Sequence, residues 1–360
     1  MRAGMDSRQG SEIDVLREWP KADLHLHLDG SVRPETYWEL ARELPGQGEL
    51  TLEEARARVT VGPGVRSLAE YLTRFPVINQ VTQTAPSLRR ITREALEDAV
   101  RSGARYVELR AAPFLHTQGG LAPEQVVEAI LAGMQEAART WPILARLILV
   151  VMRGRPEEEN RKVVALAARY RNQGVVGVDL AGDESAYPTE AYVPVFREAQ
   201  EAGLFITVHA GEAAGPESIW TAVRELGAHR LGHATSAVED PALLEYLREH
   251  RIWVEVCLTS NLQTGAVRRA EEHPLGRFLA EGVPVTLNSD DPAISQIDLV
   301  SEWRLARDAF GLSADQLAEL ALAGVEAAFV PEATRAMLRA EFQNRIDQLR
   351  PVLSNSAGEA

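Results

Sequence analysis

Short apolar stretches that each end in a polar cluster recur along this 360-residue chain. Segments rich in Ala, Leu, Glu and Arg, with the composition of helices, lie between most of them. Strands that alternate with helical crossovers pair in parallel, and eight such units close a barrel. The pattern therefore predicts an α/β fold, a TIM (β/α)8 barrel. The eight predicted strands lie within residues 21–30, 105–113, 143–154, 174–182, 204–212, 230–234, 252–261 and 283–292, and the clearest helices within residues 122–140, 158–172, 188–202 and 216–226.

The first two predicted strands are unusually far apart. Residues 31–104 separate them and carry several helical patterns, including 34–43 and 68–84. A single crossover helix needs far fewer residues, so we predict a helical insertion between the first and second strands that forms a lid over the barrel mouth. A doubly wound open sheet is the alternative fold, but no Gly-x-Gly-x-x-Gly follows an early strand to support it.

Length and composition favour one large domain. A chain of this length with 45% hydrophobic residues can bury a sizeable core, and one barrel with an insertion accounts for residues 14–353. The two ends are polar and contain Gly and Ser. We therefore expect flexible tails over residues 1–13 and 354–360.

Charge and composition also restrict the class of partner. The chain has 38 Lys and Arg against 52 Asp and Glu, a net charge of -14, which disfavours nucleic acid and anionic membranes. The start of the chain lacks the apolar core of a secretory signal, and no stretch approaches the roughly 20 apolar residues of a membrane helix. The single cysteine, Cys257, excludes an intrachain disulfide and is expected in the core of strand seven. We expect a cytoplasmic protein that acts on a small molecule, and nothing in the sequence specifies an oligomeric state.

A His-x-His pair ends the first predicted strand. His25 and His27 project from the same face of that strand because side chains alternate with period two, and two imidazoles on one face form half a zinc site. His209, His233 and Asp290 end three other predicted strands. Because all strand ends of a TIM barrel open onto one face, we expect these residues to converge on a metal site.

Two other types of metal site can be tested against the sequence. A metallo-β-lactamase-like site needs His-x-His-x-Asp-His, but Gly30 follows Asp29 here. The zinc site of cytidine deaminases needs Pro-Cys-x-x-Cys, which one cysteine cannot supply. Neither type fits the sequence.

The end of the fourth predicted strand bears on the number of metals. Two-metal barrel hydrolases usually bridge their ions with a lysine or carboxylate at this place, whereas Asp179 here is followed by the small-residue turn at 181–182, which makes room for a flat ligand. We therefore favour one metal. Asp183 and Glu184 suit a solvated turn or helix start as well as a functional role.

The remaining histidines are interpreted as hydrogen-bonded surface or core residues: His116, His229, His250 and His273.

Six short motifs together resemble the adenosine deaminase family of the metal-dependent amidohydrolase superfamily, and the resemblance extends from about residue 19 to residue 350. The motifs are His25-Leu-His-Leu-Asp-Gly30, Asp179-Leu-Ala-Gly-Asp-Glu184, His209-Ala-Gly-Glu212, Gly232-His233, Thr259-Ser-Asn261 and Ser289-Asp-Asp-Pro292.

The resemblance implies a metal-ligand set and a proton donor. His25, His27 and His209 would be the imidazole ligands of one catalytic zinc ion per subunit, and Asp290 the carboxylate ligand that also holds the attacking water. Glu212 would protonate the purine ring nitrogen beside the reacting carbon.

The resemblance also implies how the substrate is held. His233 would orient and stabilise the hydroxide. Asp291 would hydrogen-bond the imidazole-ring nitrogen of the purine, and the backbone N–H of Gly182 would meet the pyrimidine ring. Asp29 would hold a ribose hydroxyl, and His27 is expected to border the substrate as well as the metal.

The implied reaction is hydrolysis of adenosine or 2′-deoxyadenosine to inosine or 2′-deoxyinosine and ammonia, in purine salvage. Adenine, aminodeoxyfutalosine and N6-methyl-AMP are alternative substrates within the family, but Asp29 stands where adenine-specific relatives have Glu. A nucleotide is disfavoured, because surface solvation explains Arg110, Arg153 and Arg155 as well as a phosphate would. A non-catalytic zinc-binding relative has no need of Glu212 and His233.

The sequence departs from the family pattern at two positions. Ala234 follows Gly232-His233 where many members have a second glycine, and Tyr71 stands where phenylalanine is common. Both changes alter the shape and polarity of the pocket, so they bear on the sugar side more than on the purine.

Overall fold

A parallel sheet wound into a barrel forms the centre of the molecule. The structure, a computed structural model, describes residues 15–62 and 64–357, and these residues contain eight strands that are hydrogen-bonded in chain order. The strands are β1 (Lys21–His27), β2 (Ala104–Ala111), β3 (Leu144–Met152), β4 (Val175–Ala181), β5 (Phe205–Ala210), β6 (Arg230–His233), β7 (Trp253–Val256) and β8 (Val285–Leu287).

Asp290, three residues after β8, connects the last strand to the first. Its N–H donates to the carbonyl oxygen of His25 over 2.8 Å, and its carbonyl oxygen accepts from the N–H of His27 over 2.9 Å. These hydrogen bonds bring the two edges of the sheet together. The predicted TIM barrel is confirmed, and the open doubly wound sheet is excluded.

Helices alternate with the strands and surround them. They are α1 (Pro34–Ala41), α2 (Leu52–Val59), α3 (Leu68–Leu72), α4 (Phe75–Ile78), α5 (Ala85–Arg101), α6 (Pro123–Thr140), α7 (Glu157–Tyr170), α8 (Val193–Glu201), α9 (Pro216–Arg224), α10 (Pro241–Glu249), α11 (Leu258–Gln263), α12 (Leu275–Glu281), α13 (Pro292–Ser295), α14 (Leu299–Phe310), α15 (Ala314–Ala327) and α16 (Glu332–Ala357).

The predicted helical insertion lies between β1 and β2 and consists of α1 to α5. The segment predicted at 68–84 is not one helix but α3, α4 and a short 3-10 segment at Asn79–Val81. Pro76 lies in the first turn of α4, where its missing N–H is tolerated, and it would interrupt a continuous helix. Helix α5 begins at a capping box formed by Thr84 and Ser87.

Charged residues fill part of the barrel interior. Arg110 is fully buried, with Nη1 3.0 Å from Asp179 Oδ2 and Nη2 2.9 Å from Glu255 Oε2. Arg230 is also fully buried and reaches Glu255 Oε1 over 2.6 Å. The interpretation of Arg110 as a solvated surface residue is therefore wrong, because its charge is balanced by carboxylates inside the barrel.

The predicted tails lie mostly beyond the described residues. Residues 1–13 and 358–360 fall outside them, whereas residues 354–357 of the predicted C-terminal tail form the last turn of α16. No helix in residues 15–62 and 64–357 combines the length and the apolar composition that crossing a bilayer requires.

Candidate active site

A cavity of about 530 Å³ opens at the carboxyl ends of the strands. Its walls combine the polar residues that follow β1, β4, β5, β6 and β8 with apolar side chains of the insertion, including Leu68, Leu72 and Phe75 of α3 and α4. Pockets for small ligands have this size and this mixture of an apolar wall with a few polar groups. The cavity is therefore the candidate active site.

The four predicted metal ligands lie together beside this cavity. One ligand atom from each of His25, His27, His209 and Asp290 lies within 4.8 Å of the others. Asp290 Oδ1 is 3.1 Å from His25 Nε2 and 3.4 Å from His27 Nε2. The Nε2 atoms of His27 and His209 are 3.2 Å apart.

Two buried carboxylates orient two of these rings. His25 Nδ1 lies 2.7 Å from Glu255 Oε2, and His209 Nδ1 lies 3.1 Å from Asp179 Oδ1. A carboxylate accepts, so each Nδ1 carries a proton, and Nε2 of each ring faces the cluster.

The cluster fits a bound cation. Among the described residues, His25 Nε2 is buried without a hydrogen-bond partner, although the Asp290 carboxylate is 3.1 Å away. Lone pairs facing one another at this distance need a positive charge between them, and three imidazoles with one carboxylate match the donor set of zinc. Burial lowers the pKa of His209 to about 4, which keeps this ring neutral at pH 7.

Glu212 and His233 lie next to the cluster. His233 Nε2 is 3.7 Å from Glu212 Oε2 and 3.9 Å from Asp290 Oδ2. Asn261 and Thr264 hold the other side of the Glu212 carboxylate, because Asn261 Nδ2 and Thr264 Oγ1 donate to Glu212 Oε1 over 3.2 and 2.9 Å. Burial raises the pKa of Glu212, although His233 opposes the shift.

Left-handed backbone conformations occur at the site. His233 has φ 65° and Asp290 has φ 62°, values that are uncommon for residues other than glycine. Ala234 has φ 47°, a conformation that glycine adopts more readily than alanine. Such strain persists where surrounding contacts enforce it, and it gathers at functional sites.

Asp291 lines the cavity beside Tyr71 of the insertion. Its carboxylate is buried, and its Oδ1 has no hydrogen-bond partner within the part of the chain that the structure describes. Burial together with the neighbouring charge of Asp290 raises its pKa well above the usual value. A Cβ on Gly30 would lie 1.7 Å from Asp291 Oδ1, so a side chain at position 30 would displace this group. The Tyr71 hydroxyl lies 2.7 Å from Ser295 Oγ, beside Asp291.

The remaining predicted substrate contacts also line the cavity. Asp29 is 7% exposed, and burial raises its pKa to about 6. Gly182 follows β4 with φ 112°, a conformation that side chains rarely adopt. The cavity therefore contains Asp29, Gly182 and Asp291 as well as His27, Glu212 and His233, which the sequence analysis assigned to substrate or catalysis.

Arg153 also lines the cavity, but both of its Nη atoms already donate to neighbouring groups. Its Nη1 donates to the Tyr187 carbonyl oxygen, and its Nη2 donates to Thr189 Oγ1 and the His209 carbonyl oxygen, over 2.7 to 3.0 Å. It is 4% exposed, so its interpretation as a solvated surface residue is wrong. Arg155 does lie at the surface, paired with Glu159 over 2.7 Å.

Sequence reasoning missed several residues that support the site. Glu184 is not a solvated turn residue: it is 4% exposed, and its carboxylate accepts the backbone N–H groups of residues 211–214 over 2.7 to 3.1 Å. Glu255 and Thr264 were also missed. Glu184 and Asn261 lay inside motifs quoted for the family resemblance, so the motifs carried a signal there, whereas Glu255 lay within an apolar strand.

The four histidines outside these motifs have hydrogen-bond partners, as predicted. His116, His229 and His250 contact Thr82, Ile206 and Tyr246, respectively. His273 contacts Asn261. Cys257 is buried, directly after β7, and burial raises the pKa of its thiol well above the usual value.

The whole chain was also compared with known proteins. The family model described as adenosine deaminase matches residues 20–345. A relative from Klebsiella pneumoniae named adenosine deaminase is 43% identical over 324 residues, which cover 89% of this chain and 96% of the relative.

Solved structures of deaminases and related hydrolases have the same fold. A zinc-bound amidohydrolase from Burkholderia ambifaria superposes with a TM-score of 0.86 at 28% identity, covering 96% of this chain and 95% of its own. The Arabidopsis protein ADAL, solved in complex with IMP, superposes with a TM-score of 0.85 at 30% identity, covering 92% of this chain and 98% of its own. This chain is a hydrolytic deaminase and belongs to the adenosine deaminase family.

Proposed function

We propose that this protein is a zinc-dependent deaminase that hydrolyses adenosine and 2′-deoxyadenosine to the corresponding inosines and ammonia, a reaction of purine salvage. The observation that carries the proposal is the convergence of four metal-ligand atoms within 4.8 Å of one another beside the buried Glu212 carboxylate. The cavity at this point, of about 530 Å³, is large enough for a nucleoside.

His25, His27, His209 and Asp290 would hold one zinc ion. The bound zinc of the Burkholderia amidohydrolase supports the choice of metal. Zinc, when bound, supplies a water molecule that ionises near neutral pH. Asp179, which would bridge a second ion, is instead engaged by His209 Nδ1 and Arg110, and this favours one metal.

Glu212 would donate a proton to the purine ring nitrogen beside the amino-bearing carbon. Its raised pKa favours the protonated carboxyl that this step needs, and protonation makes the carbon electrophilic. His233 would orient the attacking oxygen, because its Nε2 lies within 4 Å of both the Glu212 and the Asp290 carboxylates. In these two roles, Glu212 and His233 would act together beside the reacting carbon of the purine.

Asp291 would donate to the imidazole-ring nitrogen of the purine. A ring nitrogen with a lone pair needs a donor, and the raised pKa of Asp291 favours the protonated carboxyl that this bond requires. The backbone N–H of Gly182 would meet the pyrimidine ring from the other wall, and His27 would border the ring beside the metal.

The sugar side favours a nucleoside over a nucleotide. Asp29 would accept a hydrogen bond from a ribose hydroxyl, and its negative charge would repel a phosphate. Among the described residues lining the cavity, Arg153 is the one Lys or Arg, and both of its Nη atoms are already engaged. A nucleotide phosphate, such as that of the IMP bound to the Arabidopsis relative, would find only the buried Nε of this guanidinium without a partner.

A panel of purines tests the proposal. The zinc-loaded protein is mixed with adenosine, 2′-deoxyadenosine, adenine, aminodeoxyfutalosine and N6-methyl-AMP, and the ultraviolet absorbance of each is followed. We expect the two nucleosides to be converted with the highest kcat/KM. Preferential conversion of adenine or of a modified adenosine would establish the alternative substrate, and unchanged absorbance throughout would indicate a non-catalytic zinc-binding protein.

A further inference from the structure

A chain of hydrogen bonds connects a histidine outside the cavity to two residues inside it. His273 lies in the loop before α12 and is 3% exposed. Its Nε2 is 3.0 Å from Asn261 Oδ1. Asn261, fully buried in α11, reaches both His233 Nδ1 and Glu212 Oε1 with its Nδ2, over 3.0 and 3.2 Å.

The direction of every bond in this chain follows from its first member. The backbone N–H of Leu275 can act only as a donor, and it lies 3.0 Å from His273 Nδ1. Nδ1 of His273 is therefore the unprotonated nitrogen. Burial lowers the pKa of His273 to about 3, so the ring is neutral and its one proton is on Nε2.

The proton on His273 Nε2 decides which end of the Asn261 amide faces the site. An N–H donor needs an acceptor, so the Asn261 oxygen faces His273 and the Asn261 NH2 faces the cavity. The two protons of that NH2 group then go to His233 Nδ1 and Glu212 Oε1. A ring nitrogen that accepts a proton in this way is unprotonated, so the neutral His233 ring carries its proton on Nε2, the atom nearest Glu212 and Asp290.

We propose that His273 is a positioning residue for deamination: through Asn261 it holds His233 in the Nε2-protonated tautomer and aligns the Glu212 carboxyl. The inference rests on the proposed function, because it assigns a purpose to the orientation of those two groups. His273 is not among the residues lining the described cavity, so it acts through Asn261. If the Asn261 amide turned over, its oxygen would face Glu212 Oε1 and His233 Nδ1: the hydrogen bond to Glu212 Oε1 would be lost, and His233 would donate from Nδ1 in the other tautomer.

Two substitutions separate this role from a merely structural one. In His273→Gln the side-chain amide can place its NH2 near the former Nε2 and donate to Asn261, but it loses the acceptor for Leu275. In His273→Asn the shorter amide can keep an acceptor for the Leu275 N–H, but it no longer reaches Asn261. His229→Asn is the matched control, because His229 Nδ1 also accepts a backbone N–H, that of Ile206, at the opposite end of the barrel.

Steady-state kinetics with adenosine provide the first readout. We expect His273→Asn to lower kcat about 10- to 100-fold, the usual effect of removing an outer partner of a catalytic group, with little change in KM or in zinc content. His273→Gln should retain kcat within about threefold. The control should match the wild type. Full activity of His273→Asn, or equal losses in both variants, would overturn the proposal.

Nitrogen NMR of histidine-labelled protein provides a second readout that does not depend on turnover. The His233 signal is assigned by its absence in His233→Ala. We expect an unprotonated Nδ1 and a protonated Nε2 in the wild type and in His273→Gln, and a loss of that pattern in His273→Asn. An Nδ1-protonated His233 in the wild type would contradict the inference. If the wild type converts no purine while the NMR pattern holds, the proposed function fails and the hydrogen-bond chain stands.

Discussion

The carboxylate of Glu184 anchors the backbone of Glu212. Glu184 Oε2 accepts the N–H of Glu212 over 3.1 Å, and the same carboxylate accepts the N–H groups of Gly211, Ala213 and Ala214. One buried anion therefore fixes the loop after β5. The loop in turn presents the Glu212 side chain to the cavity, so the position of the proposed proton donor depends on a residue 28 positions earlier.

Glu184→Gln should weaken this anchor. An amide has one acceptor oxygen, and its NH2 group would face backbone donors that need an acceptor. We expect Glu212 to shift and kcat for adenosine to fall about 100-fold, the scale expected when a catalytic group is misplaced by about 1 Å. Glu190→Gln, which removes an exposed carboxylate that accepts from Thr221 Oγ1, is the control and should leave kcat unchanged. Wild-type activity in Glu184→Gln would show that the loop does not need this carboxylate.

Gly30→Ala should disable Asp291. The new Cβ would lie 1.7 Å from Asp291 Oδ1 and 2.7 Å from Asp291 Cβ, so the carboxyl must move. We expect kcat/KM for adenosine to fall at least about 100-fold. Gly48→Ala is the matched control, since a Cβ at Gly48 would meet no atom of residues 15–62 and 64–357 within 4 Å. Unchanged kinetics in Gly30→Ala would remove Asp291 from the proposed contact with the purine.

Asp29→Ala tests the sugar side. Loss of a hydrogen bond between a ribose hydroxyl and a carboxylate should cost about 1.5 to 3 kcal/mol, so we expect KM for adenosine to rise at least about tenfold. Free adenine lacks the ribose and serves as the internal control. Its binding, measured as substrate or as competitive inhibitor, should not change. Equal weakening of both compounds would mean that Asp29 does not recognise the sugar.

Glu302 should make stability depend on pH. Burial raises its pKa from an ordinary value of 4.5 to about 7, although its hydrogen bonds with Thr259 oppose the shift. Between these two values the folded protein holds a proton that the unfolded chain has released. The protonated carboxyl therefore stabilises the fold at low pH, and this contribution to the free energy of unfolding is lost as pH rises from 4.5 to 7. The loss is about 3 kcal/mol, since each pKa unit corresponds to about 1.4 kcal/mol.

Glu302→Gln isolates this group, because every other titrating residue is common to both proteins. We expect the urea midpoint of the variant to rise relative to the wild type as pH increases from 4.5 to 7, and then to stay constant. A difference between the two midpoints that does not change with pH would show that Glu302 ionises normally in the folded protein.

The fold and the meeting of the polar strand ends were predictable from the sequence. The period of two in β1 places His25 and His27 on one face, and a closed parallel barrel brings His209 and Asp290 to the same rim. These inferences need the order of the elements and the direction of the strands. They do not need the side-chain packing.

The hydrogen-bond partners behind the site could not be predicted in the same way. Glu255 is separated by 230 positions from His25 and by 145 from Arg110, and it lies inside an apolar strand. A buried charge in such a strand is stable only when opposite charges balance it. Those partners come from distant strands and become neighbours only when the barrel closes. Glu184 and His273 were missed for a similar reason, because their roles depend on which backbone groups and amides lie beside them.

Zinc content, measured together with turnover in two variants, tests the central claim most directly. The wild type and Glu212→Gln should each hold one zinc per chain by elemental analysis, although Glu212→Gln should lose most of its deamination of adenosine. His209→Ala should lose both zinc and activity, because it removes a ligand. Stoichiometric zinc in His209→Ala, or loss of zinc in Glu212→Gln, would contradict the assignment of a metal held by His25, His27, His209 and Asp290 beside a separate proton donor.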